Sequence, residues 1–359
     1  MLNGAKYFCK KLSSQTFFVC FAALLSVSQV AKAEDSVAGE NAAFEKWLQD
    51  VRIEALTKGI SNETIALALS DVKLLKKVIK KDNSQPEVRQ TYAAYFKARI
   101  SEWRIEKGRK MLAENADLFA EISKIYGVQP RFIAAIWGVE TNYGTYDLTI
   151  PVFDAIATLA YNPRRASRFR RELFAALRIL ENGDASIDVM KGSWAGAMGQ
   201  PQFMPQTYIA YAKDHDGDGV RDIWSNKGDI FASIASYLKQ YGWKDSQTWG
   251  REIQFTQISE GAFKADRLGG TTPDLACKSY KDLGAWRPLS EWQQKGIRRL
   301  NGGALPKVDL QAALIIGDSG DKKGYLVYRN FCSIMKYNPS FKYALGVSML
   351  AEKIKGAAQ

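Results

Sequence analysis

Between residues 41 and 58, apolar side chains fall at Phe44, Trp47, Leu48, Val51 and Leu56. That three-and-four spacing lines one side of a helix. Gly59 ends the run and Ser61 offers an N-cap for a second helix. The helical period continues to about residue 245. Tyr92, Tyr95, Phe96 and Ile100 share a face, Leu118, Ile122 and Ile125 lead into Gly127, and Phe231, Ile234, Ala235 and Leu238 form a further stripe. From Glu252 the texture changes to short β-like runs: residues 253–258 (IQFTQI), then Tyr325, Leu326, Val327 and Tyr328 after the turn-rich 317–324 (GDSGDKKG), with glycine pairs at 269–270 and 302–303. A final helix is predicted from Phe341 to Ile354, between Pro339 and Gly356. The pattern is mainly α with a small β part, an α+β chain without internal repeats. The expected division is an α domain at 34–115, a helical core at 116–245, a β-containing domain at 246–330 and a C-terminal helical segment at 331–359.

The first 33 residues stand apart. Lys6, Lys10 and Lys11 precede an apolar run from Phe17 to Leu25, and Ala31-Lys32-Ala33 follows as a small-x-small cleavage site, the layout of a signal peptide. The run is shorter than the roughly 20 apolar residues of a membrane span. Cys20 follows Phe17, Phe18 and Val19, without the small residue expected before a lipid-modified cysteine. A soluble, exported, periplasmic protein is expected.

Composition narrows the chemistry. With 359 residues, 46% hydrophobic and only four cysteines, the chain is neither disordered nor a disulfide scaffold. Its charge is +12, and the four lysines of the leader leave with it, so the mature chain carries +8. A basic exported protein suits nucleic acid, anionic lipid or a carboxylate-bearing wall polymer. No clustered basic stripe with base-reading chemistry is present, so nucleic acid ranks last. Cys277 and Cys332 remain, equally compatible with a disulfide and with two buried thiols. The one histidine, His215, excludes multi-histidine zinc sites and leaves proton transfer to carboxylates.

Three segments carry that chemistry. In residues 130–140 (PRFIAAIWGVE), Phe132, Ile133, Ile136 and Trp137 form one stripe, and Glu140 lies one turn beyond Ile136 on the same side. Burial disfavours the charged form, as a general acid near neutral pH requires, although a structural ion pair with arginine would put a carboxylate there too. Residues 193–212 contain no charged side chain but carry Ser193, Trp194, Gln200, Gln202, Phe203 and Tyr208. Neutral polar groups between rings suit sugar hydroxyls and acetamido groups, and equally a buried turn. Residues 214–220 (DHDGDGV) place oxygen ligands at Asp214, Asp216 and Asp218 and a backbone carbonyl at Val220, the spacing of a calcium loop. Position twelve is Ser225 rather than Glu, so Asp229 is the candidate to close the site, with Asp222 second. His215, between ligand positions, is expected to be exposed.

Together with GVETNYG at 138–144, YNPRRA at 161–166, GSWAGAMGQPQFMP at 192–205 and KYNPS at 336–340, this loop resembles the lytic murein transglycosylase B family over nearly the whole mature chain. The resemblance implies a lysozyme-like helical core with a structural calcium ion, flanked by an α domain and a small β-containing domain. It implies Glu140 as single acid and base in cleaving the β-1,4 bond from N-acetylmuramic acid to N-acetylglucosamine, giving a 1,6-anhydro end. Ser193 and Gln202 would line the site, and Tyr95, Tyr237, Tyr337 and Asn338 would contact sugar. Arg164 and Arg165 would meet substrate carboxyl groups or form a salt bridge. Glycan strands are the implied partner, with other cell-wall enzymes as further ones. Trp194, Gln200 and Pro201 depart from the family's pattern. The rival readings are a muramidase using a second carboxylate, Asp147 or Asp154, and a non-catalytic calcium-stabilised wall-binding module.

Overall fold

In a computed structural model of the chain, the described residues are 39–84, 90–255, 277, 283, 285–318 and 323–355. The expected leader, residues 256–258, the glycines at 269–270, the middle of the 317–324 turn and Gly356 lie outside them. The described chain forms two units that divide after Gly59. In the first, residues 39–57 are a helix (α1) that buries Phe44, Leu48, Val51 and Ala55. Ala55 takes the place the pattern gave to Leu56, which is 45% exposed. Gly59, with φ of 73°, makes the left-handed turn that ends it.

The second unit begins with α2 (Asn62–Leu69), whose Ser61 cap accepts from the Thr64 N–H at 3.1 Å as expected. There follow α3 (Lys76–Ser84), α4 (Tyr92–Arg99), α5 (Glu102–Glu114), α6 (Ala116–Tyr126) and α7 (Pro130–Thr141). Next come α8 (Val152–Tyr161), α9 (Ala166–Glu181), α10 (Pro205–Tyr211) and α11 (Lys227–Gln240). The second half of α6 turns outward differently from the pattern: Ile125 is 48% exposed, and Phe119 joins Ile122 inside, stacked on Phe231 at 4.2 Å.

Every residue of α7 from Phe132 to Val139 is buried. A helix apolar all round must be enclosed, and α5, α6, α11 and the C-terminal helix α14 (Phe341–Ile354, at the predicted limits) all pack on it. Half-buried positions occur only at its two ends, Pro130 and Arg131 at the start and Glu140 in the last turn.

The β region is a five-stranded antiparallel sheet. Its strands are β3 (Gly250–Phe255), β4 (Arg287–Pro288), β5 (Ile297–Arg299), β6 (Gln311–Ile316) and β7 (Lys323–Val327), in the order β4-β6-β7-β3-β5. A separate pair, β1 (Ile150–Pro151) and β2 (Lys191–Gly192), lies in the helical part. The alternation of β6 divides the sheet's faces: Ala312 and Leu314 pack with Ile253, Trp292 of the short helix α12 (Leu289–Gln294) and Leu326, while Ala313, Ile315 and Val327 join the helical core. Helix α13 (Arg329–Tyr337) then leads into α14. Cys277 and Cys332 form a disulfide onto α13, which resolves the open choice between a bond and two thiols.

Candidate active site

Glu140 is half-buried at the end of α7. The chain leaves it through Asn142, Tyr143 and Gly144 with φ of 57°, 59° and 75°, a reversal that needs external support. Tyr143 turns back under α7, where its hydroxyl donates to the Arg104 carbonyl at 2.9 Å. Gly138 and Gly108 make the slot for its ring, since a Cβ at either would lie within 2.5 Å of a Tyr143 atom. The buried Arg104 side chain donates through Nε to Asn142 Oδ1 at 3.0 Å and through Nη1 to the Arg99 carbonyl at 2.6 Å. This clamp was not legible in the sequence, where Arg104 reads as an ordinary surface arginine.

Tyr343 of α14 donates its hydroxyl to Glu140 Oε1 at 2.6 Å. Burial, and then the charge of Glu140, push both Tyr343 and Tyr337 well above the usual tyrosine value, so both hydroxyls remain donors. The rings of Tyr343 and Tyr337 stack at 6.4 Å, and Tyr337 meets Tyr237 at 4.8 Å and Phe203 at 5.8 Å. Tyr337 donates to the Pro201 carbonyl at 2.7 Å and Tyr237 to the Lys336 carbonyl at 2.5 Å. An aromatic wall thus runs from Glu140 to the 193–205 segment. Tyr95 is buried against Gly346 of α14, and Asn338 is exposed beside Tyr337. The sequence missed Tyr343. It shares an apolar stripe with Val347 and Leu350, where a tyrosine reads as core.

The uncharged segment is a tight, self-bonded turn up to Met204, after which α10 begins. Ser193 Oγ accepts from the Ala197 N–H at 3.2 Å, and Gln202, at φ of 56°, donates to the Gly199 carbonyl at 3.0 Å. Both remain half-buried. Gln200 reaches further. It accepts from the Trp137 indole at 2.6 Å and donates to the Trp224 carbonyl at 2.7 Å, and it occupies the space that a side chain at position 144 would need.

Of the two readings of the arginine pair, the structure shows the ion pair: Arg164 and Arg165 both face the buried carboxylate of Asp82, while Arg164 keeps 43% of its side chain exposed. Asp154, a candidate second carboxylate, accepts from the Lys73 N–H at 3.2 Å, and Asp147 is exposed.

In the acidic loop, oxygens of Asp214, Asp216 and Asp229 lie within 4.8 Å of one another. Asp229 is buried and accepts from the N–H groups of His215 and Asp222, both at 2.7 Å, bracing the loop at each end. Burial pushes its carboxyl up to about 6, the two N–H donors counter this, and the charges of Asp216 and Asp214 add to it. A carboxylate held among like charges in this way matches the hard-oxygen donor set of a calcium ion. Asp218 stands outside that trio with Oδ1 accepting from Val220 N–H, and the Asp222 carboxylate turns to Trp224 and Ser225. His215 is not exposed as expected: its side chain is 12% accessible, packed near Gly228 and 3.6 Å from a Glu121 oxygen.

Residues 43–352 match the model of the transglycosylase SLT domain family. The chain is 29% identical to the membrane-bound lytic murein transglycosylase B of Escherichia coli, over 82% of this chain and 79% of that protein. It superposes on SltB3 of Pseudomonas aeruginosa, solved with NAG-anhNAM-pentapeptide, with TM-score 0.79 and 38% identity over 88% of this chain and 80% of the other. Against the E. coli transglycosylase SLT35, solved with calcium, the values are 0.70 and 28%, over 86% and 92%.

Proposed function

The chain belongs to the transglycosylase SLT domain family and is a lytic transglycosylase, and from that premise we propose that Glu140 is its single acid and base. The observation that carries this is the Tyr343 hydroxyl on Glu140 Oε1 at the open end of a buried helix. The substrate is the β-1,4 bond between N-acetylmuramic acid and N-acetylglucosamine in peptidoglycan, in line with the muropeptides held by SltB3. The Glu140 carboxyl gives its proton to the glycosidic oxygen as the bond to C1 breaks, and the substrate's own acetamido oxygen stabilises C1. The Glu140 carboxylate then takes the proton of the C6 hydroxyl, whose oxygen bonds to C1. The proton balance closes and no water enters.

Tyr237, Tyr337, Tyr95 and Asn338 are the proposed sugar contacts, with Ser193 and Gln202 on the facing turn. Arg164 and Arg165 are assigned to substrate carboxyl groups at the edge of their ion pair. Asp214, Asp216, Asp218, Asp229 and the Val220 carbonyl would hold a calcium ion, whose charge would offset the carboxylates and fix the loop. Export to the periplasm follows from the leader and suits a cell-wall enzyme. Among the described residues no helix is long and apolar enough to cross a membrane.

Mass spectrometry of soluble products from purified peptidoglycan tests the reading. The mature protein should release 1,6-anhydro-muropeptides and Glu140→Gln none. Reducing-end products would make it a muramidase. Activity left intact in Glu140→Gln would remove the residue from the mechanism.

A further inference from the structure

The two chemistries of this molecule, the acid at Glu140 and the carboxylate loop, lie on different elements, and one side chain touches the supports of both. Trp137 precedes Glu140 by one helical turn and Thr141 follows it directly. Both donate to Gln200: the indole N–H to Oε1 at 2.6 Å and the Thr141 hydroxyl to the backbone carbonyl at 3.1 Å. On its other side Gln200 donates twice, through Nε2 to the Trp224 carbonyl at 2.7 Å and through its backbone N–H to the Ile223 carbonyl at 2.8 Å. Ile223 and Trp224 follow Asp222, whose N–H is held by Asp229 at 2.7 Å and whose carboxylate accepts the Trp224 N–H at 2.8 Å. The orientation of the amide is forced, because an indole only donates and a carbonyl only accepts. A glutamine alone meets both demands at this size. Gly144, in the reversal after Glu140, completes the fit, since a Cβ there would lie 2.3 Å from Gln200 Oε1.

We propose that Gln200 is a positioning residue that couples the carboxylate loop to the Glu140 turn, so that ordering of the loop by calcium sets the geometry of the acid. The proposal rests on the reading of Glu140 as the acid and of the loop as a calcium site. The Asp229–Asp222–Trp224–Gln200–Trp137 chain consists of direct hydrogen bonds and short backbone steps, and it leaves no slack between the buried carboxylate and the helix end. A shift of about 1 Å at a catalytic group costs on the order of a hundredfold in rate, so even partial loosening is measurable.

The test is Gln200→Glu, which keeps the size and the acceptor for Trp137 but removes the donor to Trp224. Calcium should still raise its melting temperature, as in the parent. We expect kcat for anhydro-product release to fall about tenfold or more with KM within about threefold, and the near-UV circular dichroism change that calcium produces in the parent to be lost. Where Gln200→Glu is not recovered folded, Thr141→Val, which cuts the clamp at its other end, is read in the same way. Unchanged kcat in the folded variant overturns the proposal. So does a parent enzyme whose kcat is equal with and without calcium while its melting temperature responds to the ion. Glu140→Gln is assayed alongside. Activity surviving there removes the acid assignment itself, whereas an inactive Glu140→Gln beside a fully active Gln200→Glu removes only the coupling.

Discussion

At the scale of single residues, the proposed site is a carboxylate and the hydroxyl aimed at it. Glu140 was legible because a charged side chain on an apolar stripe contradicts its own surroundings. Tyr343 was not, because a tyrosine among aliphatic residues is ordinary core, and only the packing of α14 along α7 shows where its hydroxyl goes. Tyr343→Phe removes that hydroxyl and little volume. A hydrogen bond to a charged group contributes about 1.5–3 kcal/mol, so kcat should fall by roughly ten- to a hundredfold if the bond persists in the transition state. The pH profile separates this from general damage. The hydroxyl stabilises the ionised carboxylate, so its loss favours the protonated acid and should move the alkaline limb of the rate profile to higher pH. A profile scaled down without displacement would mean that Tyr343 acts on the fold rather than on Glu140.

Among elements, the acidic loop shows which distances a sequence conveys. The alternation of Asp214, Asp216 and Asp218 was legible because that spacing is local, but the structure gathers only Asp214 and Asp216 of these three with Asp229. Asp229 was named only as a later acid to stand in for Ser225 at position twelve; it comes to the loop because α11 begins at Lys227 and carries it in its first turn. The burial of His215 was missed, because it depends on Glu121 of α6, which approaches only in the folded chain. The same assembly gives the loop a pH dependence. In the calcium-free protein Asp229 takes up a proton near pH 6, well above its ordinary 3.8. Its burial among like charges therefore disfavours the folded state above about pH 6, and this cost is relieved as the pH falls through that value. Calcium offsets the cost only where Asp229 is ionised. The rise in melting temperature on adding calcium to depleted protein should be full near pH 7.5 and clearly smaller near pH 5. An increment that is equal or larger at the acid end would count against Asp229 as a ligand.

Over the whole molecule, the change of texture at Glu252 correctly announced a sheet, but not that the sheet is sided: one face closes over Trp292 and the other seals the helical core through Ala313, Ile315 and Val327. Period-two patterning was too short in each strand to assign two apolar faces to different neighbours. The Cys277–Cys332 bond ties this region to α13, and both cysteines are fully buried. It closes a span of 55 residues, for which the chain-entropy account gives a stabilisation of about 4 kcal/mol. Replacing both cysteines by alanine should lower the melting temperature by several degrees, and reductant should have no effect on the parent until it unfolds. Turnover at 25 °C should change by less than about twofold, because Glu140 and Tyr343 are held by α7 and α14 and by hydrogen bonds that do not pass through the bond. A double variant that melts with the parent would show that packing of Phe331, Ile334 and Met335 alone fixes α13. One that keeps its melting temperature but loses turnover would place the bond in the positioning of the aromatic wall through Tyr337.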